Sequence, residues 1–414
     1  MVGLNRLIIG LFEYLLLLMM ILEFNTPYVY FPVIRHAVEI ILLLSAIILI
    51  IYHWDYISFD IFAFLLIVLV GAILPSLNVV EDKFVLYVKL YFVLLPILLL
   101  MMILYARENE SAYETFLFKY SNIVYLISIV SLFFWFFGSI LEIIPSTAII
   151  PNAWGKEKFI PTYYGIYFET QSIEATEGAS LMVRNSGIFN EGPMYNMILC
   201  IAISIELFVR KKIKPLRLCT LLITDITVLS TTGFLLLLLI FAIKAFELSH
   251  AKYGLQMLLL SPIILIMVFI TLSVILDNKK NSSAKSYNNR GDDIVKCVEV
   301  GLEHPILGVG VFFKGEEDSS DSKSFGFSNS TFAVFAHGGF YFLVLYLFPL
   351  FIVPIIIYCR NRDWCFLMFM MSLFFLFTFT TSKYKIMIIF YIATSLAYWY
   401  NLMFKESSSH NRNQ

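Results

Sequence analysis

Apolar residues gather into runs at approximately 4–22, 37–53, 61–75, 86–105, 121–140, 193–209, 218–230, 232–247, 254–276, 332–358, 365–381 and 386–403. Most approach the roughly 17–25 apolar residues a helix needs to cross a hydrocarbon core of about 30 Å. The pattern predicts an all-α, polytopic integral membrane protein of about 12 transmembrane helices, a single membrane domain over 1–414 with two large polar loops. The first run contains Glu13 and leads into Glu23-Phe-Asn-Thr-Pro27 rather than a small-residue cleavage site. It therefore reads as a retained span and not as a secretory signal.

The stretch 218–247 fits one long helix or two short ones breaking at Ser230-Thr-Thr-Gly233. Positive charge favours two. Arg210-Lys-Lys-Ile-Lys-Pro-Leu-Arg217 holds five cations and no anion, the mark of a cytoplasmic connection. With two spans after it, Lys244, Lys252, Arg360 and Arg362 also fall inside, together with both termini. The segments 141–192 and 277–331 then become extracytoplasmic loops. Both mix aromatics, glycine, proline and charges of either sign, and loops this long in a compact protein are commonly functional.

Composition agrees with the pattern. The chain is 60% hydrophobic and 14% charged, against about half and a quarter in soluble domains. Mean hydropathy is +0.83. A net charge of -1 gives no reason to expect nucleic acid as a partner, and five cysteines show neither a disulfide framework nor a CxxC metal site. No Walker, GxSxG or HExxH motif is present, so no cofactor and no metal is expected.

Candidate chemistry lies in the two loops. The first ends Leu181-Met-Val-Arg-Asn-Ser-Gly-Ile-Phe-Asn-Glu-Gly-Pro193 and runs straight into an apolar run. Pro193 suits a first helical turn, and Glu191 suits the positive helix end. Arg184, just above it, offers a planar fork that suits a phosphate or diphosphate. Interfacial anchoring, or pairing with Glu191, is the plainer alternative. In the second loop Ile294, Val298 and Leu302 recur every fourth residue ahead of Pro305, which predicts a short amphipathic helix from about Asp292 to Glu303. Arg290 then stands just before it, as a second phosphate clamp or as a cation shielding Asp292 and Asp293. Gly308-Val-Gly310 has no strand–helix unit around it and reads as tight backbone only. His337 is placed where an imidazole base can serve the outer face, although a lone histidine is usually structural. Glu13, Glu39, Lys89, Glu206 and Asp225 fall within apolar runs, where ionisable groups are functional candidates or helix-to-helix partners.

The order of these pieces resembles the O-antigen polymerase and O-antigen ligase superfamily of bacterial envelope glycosyltransferases. The resemblance rests on Arg184-Asn-Ser-Gly187 with Phe189-Asn-Glu-Gly-Pro193, and on Ser230-Thr-Thr-Gly233. It continues through Arg290 and its helix to His304-Pro-Ile-Leu-Gly-Val-Gly310, and through Ser328-Asn-Ser-Thr331 with Gly338-Gly339. It implies a metal-independent transferase that uses a polyprenyl-diphosphate-linked oligosaccharide as donor. Arg184 and Arg290 would hold the diphosphate, a base such as His337 would activate the acceptor, and Glu191, Ser328 and Asn329 would contact substrate. Ligases carry histidine where this chain has Ser328, which favours the polymerase branch. The expected function is an O-antigen- or capsule-type polymerase at the outer face of the bacterial cytoplasmic membrane, with a chain-length regulator and a flippase as possible partners. The alternatives are a lipid-linked oligosaccharide flippase, which large outer loops oppose, and a ligase.

Overall fold

A computed structural model of the chain describes residues 2–108, 112–152, 158–174, 181–252, 284–313, 329–380 and 385–410. In chain order its helices are α1 (Val2–Glu23), α2 (Pro32–Tyr52), α3 (Phe59–Ser76), α4 (Glu81–Glu108), α5 (Tyr113–Ile140), α6 (Gly192–Val209), α7 (Pro215–Thr227), α8 (Thr231–Lys252), α9 (Ala284–Glu303), α10 (Thr331–Asn361), α11 (Trp364–Phe379) and α12 (Ile386–His410). Among the described residues seven of these, α2 to α6, α10 and α12, are long and apolar enough to cross a membrane. The chain is a mostly helical, multi-pass membrane protein. Shorter apolar stretches lie in α8 and α11, and the expected run at 254–276 lies outside the described residues.

The first polar loop carries strands that the expectation of an all-α chain did not include. β1 (Ala148–Asn152), β2 (Lys158–Tyr163) and β3 (Tyr167–Phe168) form one antiparallel sheet, and β4 (Ser172–Glu174) and β5 (Leu181–Val183) form another. The alternation in Lys158-Phe-Ile-Pro-Thr-Tyr163 explains β2, since every second residue turns to the same face.

The chain clusters into two compact units, 1–45 with 114–252 and 46–113 with 253–414. In the first, α6 is buried along almost its whole length and packs on α7 and α8. Its buried Glu206 accepts a hydrogen bond from Ser121 at 2.6 Å and pairs with Arg210 at 2.7 Å and Arg217 at 3.4 Å. Glu13 of α1 pairs with Lys119 of α5, and Glu39 with Arg35 at 3.3 Å. Pairing between helices accounts for Glu13 and Glu206, and pairing within α2 for Glu39, as the desolvation of such charges demands a partner. In the second unit α4 lies along α12, and α9 along α10. Arg107 at the end of α4 donates to the Tyr56 carbonyl (3.0 Å), Ser58 (2.7 Å), Asp60 (2.6 Å) and Tyr400 (2.6 Å). That cluster gathers the matching ends of α3, α4 and α12.

The doubtful stretch is two helices. α7 ends at Thr227, Leu229 takes a left-handed φ of 52°, and Ser230 starts α8 by accepting at Oγ from the Gly233 amide at 3.3 Å. The break lies at 228–230, just ahead of Thr231-Thr-Gly233. Gly233 is itself inside α8, where a Cβ would drive into the Asn196 side chain. The amphipathic helix also differs from expectation. It starts at Ala284 rather than near Asp292, so Arg290 sits within α9 and not ahead of it. Nothing in Ala284-Lys-Ser-Tyr-Asn-Asn289 stops a helix, and Gly291 is tolerated inside one. Its buried stripe is Cys297, Val300 and Gly301, not Ile294, Val298 and Leu302, and Leu302 is 60% exposed. The reason is Gly301, which lets the Phe335 ring lie directly on the helix. The resulting cluster joins Cys297 and Val300 to Ala333 and Ala336 of α10.

Candidate functional site

In the first unit the segment 184–192 is tied down residue by residue before it becomes α6. Asn185, Ser186 and Asn190 are fully buried. Asn185 donates from its amide to the Thr227 carbonyl (3.1 Å) and from Nδ2 to Thr227 Oγ1 (2.9 Å), so the segment docks on the last turn of α7. Gly187 turns the chain with φ +56°, its amide donating to Asn185 Oδ1 at 3.2 Å. A Cβ there would meet the Tyr195 ring. Asn190 donates to the carbonyl of Asn25, itself left-handed at φ 58°. Glu191 is the N-cap of α6, with Pro193 in the first turn as the sequence predicts. Most of this backbone is irregular and buried, so its amides need protein partners, and those of Arg184, Asn185, Gly187, Phe189, Asn190 and Gly192 have them.

Arg184 opens the segment. Its Nη2 donates to the Leu229 carbonyl at 2.8 Å, at the left-handed residue that separates α7 from α8. Its Nη1 makes only a 3.4 Å contact with Gln171 Oε1, which also accepts from the Gly192 amide at 3.1 Å. Its Nε is buried and has no hydrogen-bond partner among the described residues. Burial draws the guanidinium below its ordinary pKa, and nearby Glu191 pulls the other way. Burial and Glu191 together raise the Tyr30 phenol. Arg184 therefore has one firm backbone bond, a neighbouring carboxylate and donors to spare from its five. An oxyanion is the chemistry that such a fork accepts.

In the second unit α10 is interrupted at Gly339, whose φ of 60° and ψ of -162° leave the helix. The freed carbonyls of Ala336 and His337 accept from the amides of Val309 and Gly310, both at 3.0 Å. The Phe340 amide donates to the Pro305 carbonyl at 2.7 Å. Gly308 lies so close that a Cβ would strike the His337–Gly338 backbone. Asn78 clamps the same segment, donating from Nδ2 to the carbonyls of Leu307 (2.9 Å) and Gly308 (3.1 Å) and accepting from the Val311 amide (2.8 Å). Gly308-Val-Gly310 is thus the tight backbone its sequence suggested, and it patches a broken membrane helix.

His337 sits at that break with no exposed surface. Asn329 precedes α10, its Oδ1 accepting from the Ala333 amide at 3.2 Å. Its Nδ2 is buried without a partner among the described residues. Arg290 lies in α9, which packs on α10. Ser328 lies outside the described residues. Arg184 and Glu191 thus belong to the first unit, and Arg290, Asn329 and His337 to the second. Gln171, Leu229 and Asn78 are the partners that sequence reasoning missed. The available signal was Leu77-Asn78, a polar turn residue after an apolar run, and it pointed only to Asn78.

No metal-holding group of three or more His, Cys, Asp or Glu residues occurs among the described residues. The class defined so far is a helical membrane protein with an ordered, partly buried arginine site at a helix break. Comparison with protein-family models, with curated proteins and with solved structures finds no match.

Proposed function

We propose that the chain is an envelope polysaccharide polymerase of the O-antigen or capsule type. It transfers glycan from polyprenyl diphosphate onto a lipid-linked repeat unit at the outer face of the cytoplasmic membrane. The reading places 12 spans in the bilayer with both termini cytoplasmic. What carries it is Arg184, a half-buried guanidinium with an unspent Nε–H, held rigidly on an irregular segment at the mouth of a membrane helix. Departure of a diphosphate leaves negative charge on oxygen, and a preorganised guanidinium stabilises that charge as it develops. Glu191 favours the charged form of Arg184 and so offsets part of its burial. His337 is assigned no proton transfer, because its side chain has no exposed surface to meet an acceptor hydroxyl.

The test is glycan length in a strain from which the chain is deleted. Single repeat units on the final acceptor are the expected result. Loss of all glycan from the acceptor points to a flippase or a ligase, and full-length polymer removes the proposal.

A further inference from the structure

The three-stranded sheet of the first loop has one face packed, and its other face is packed on α5 only at Tyr163 and Tyr167, leaving the Ile149, Pro151 and Phe159 end open. Directly opposed residues of antiparallel strands share a face. Ile150 stands opposite Ile160 and Asn152 opposite Lys158. Ile160, Thr162 and Asn152 on that side are buried. On the other side Ile149 stands opposite Pro161 and Pro151 opposite Phe159. Ile149 is 66% exposed and Phe159 77%, and this outward face bears no charge. A water-facing antiparallel sheet alternates apolar-in with polar-out. Here the polar residues Asn152, Lys158 and Thr162 lie on the packed side, and the exposed side is the apolar one.

Its position says what covers it. The sheet is seated on the C-terminal end of α5. A Cβ at Gly138 would meet the Tyr163 ring, and Ser139 and Tyr163 both donate to Glu169 at 2.7 Å. Phe134 of α5 packs with Tyr163 and Tyr167. The same end of α5 exposes Phe136, Phe137 and Ile140, and Ile143 and Tyr164 are exposed beyond it, with the exposed Glu142 between Ile140 and Ile143. α5 is long and apolar enough to cross a membrane, so Phe136, Phe137 and Ile140 are its lipid-facing side. An aromatic-rich rim at the end of a spanning helix belongs at the headgroup level.

We propose that the outward face of the β1–β2–β3 sheet is a lipid-seated surface, resting in the interfacial layer of the leaflet beside the end of α5. It lies at the interface and not in the hydrocarbon core. β1 is an edge strand, and its free backbone groups need water that only the headgroup region supplies. Pro151 lowers that demand, having no amide hydrogen to satisfy.

The test uses the full chain in vesicles of phosphatidylethanolamine and phosphatidylglycerol. The exposed cysteines are removed by Cys219→Ser, Cys359→Ser and Cys365→Ser, and the buried pair Cys200 and Cys297 is kept. Nitroxide labels are placed through Ile149→Cys and Phe159→Cys, with Phe136→Cys as the lipid reference and Lys211→Cys, on an exposed polar connection, as the water reference. Collision with oxygen is compared with collision with a water-soluble nickel chelate. The expected oxygen-to-nickel ratio at 149 and 159 matches that at 136 and is several-fold above that at 211. A ratio equal to that at 211 puts the face in water and overturns the proposal. Low collision with both reagents overturns it as well, and dipolar broadening between labels then identifies a second copy of the chain as the cover.

Discussion

Arg184 does two jobs that a single substitution confounds and two substitutions separate. Its bond to the Leu229 carbonyl holds the α7–α8 break, and a hydrogen bond from a charged donor contributes roughly 1.5–3 kcal/mol. Arg184→Ala should therefore lower the melting temperature of the purified protein, equivalent to about 1–3 kcal/mol. This departs from the view of an interfacial arginine as a mere anchor. Arg184→Lys keeps a cation able to reach that carbonyl and should melt close to the wild type, while losing the planar fork. Equal melting of the alanine variant and wild type would show that the Leu229 contact is not used. Arg184, Glu191 and Pro193 were legible in the sequence, because a helix start has a local signature. Gln171 and Leu229 were not, since nothing in a single sequence reports which carbonyl 45 residues away a side chain meets.

At the scale of elements, periodicity located α9 and chose the wrong stripe. Ile294, Val298 and Leu302 share a four-residue spacing, but burial is decided by close approach, and Gly301 admits a ring that no side-chain-bearing residue would. Gly301→Ala forces a methyl group into Phe335 and should cost about 1–3 kcal/mol, as overpacking does. Leu302→Ala, at an exposed position, should stay within about 0.5 kcal/mol of wild type. Thermal melts of the two variants check this, and the reverse order would restore the stripe read from the sequence. The break between α7 and α8 was legible from its small and hydroxyl residues. The break in α10 was not, because Gly338-Gly339 sits in an otherwise uniform apolar run. Its cost is met by Val309 and Gly310, far away in sequence, as irregular backbone at membrane depth requires.

At the scale of the molecule, positive charge and helix ends agree within each unit. In the first, Arg210 and Arg217 pair with the same Glu206. In the second, Arg107 gathers the ends of α3, α4 and α12, and Tyr398 donates to Asp363 at 2.6 Å beside Arg362. Reporters fused near Ser180 and Ser320 should both read as extracytoplasmic, and one at Lys212 as cytoplasmic. Opposite readings at 180 and 320 would mean that α7 and α8 make one crossing between them, which the 13-residue length of α7, about 20 Å at helical rise, keeps open to test.

The most direct measurement is polymerisation itself. The full chain in proteoliposomes is given a polyprenyl-diphosphate-linked repeat unit, and both glycan length and released polyprenyl diphosphate are followed. Wild type should build a ladder of lengthening glycan, releasing one polyprenyl diphosphate for each unit joined. Arg184→Lys, folded and at matched amount, should be slower by on the order of a hundredfold, the cost of about 3 kcal/mol of charge stabilisation. A ladder of wild-type rate from Arg184→Lys, or no ladder from wild type, contradicts the assignment.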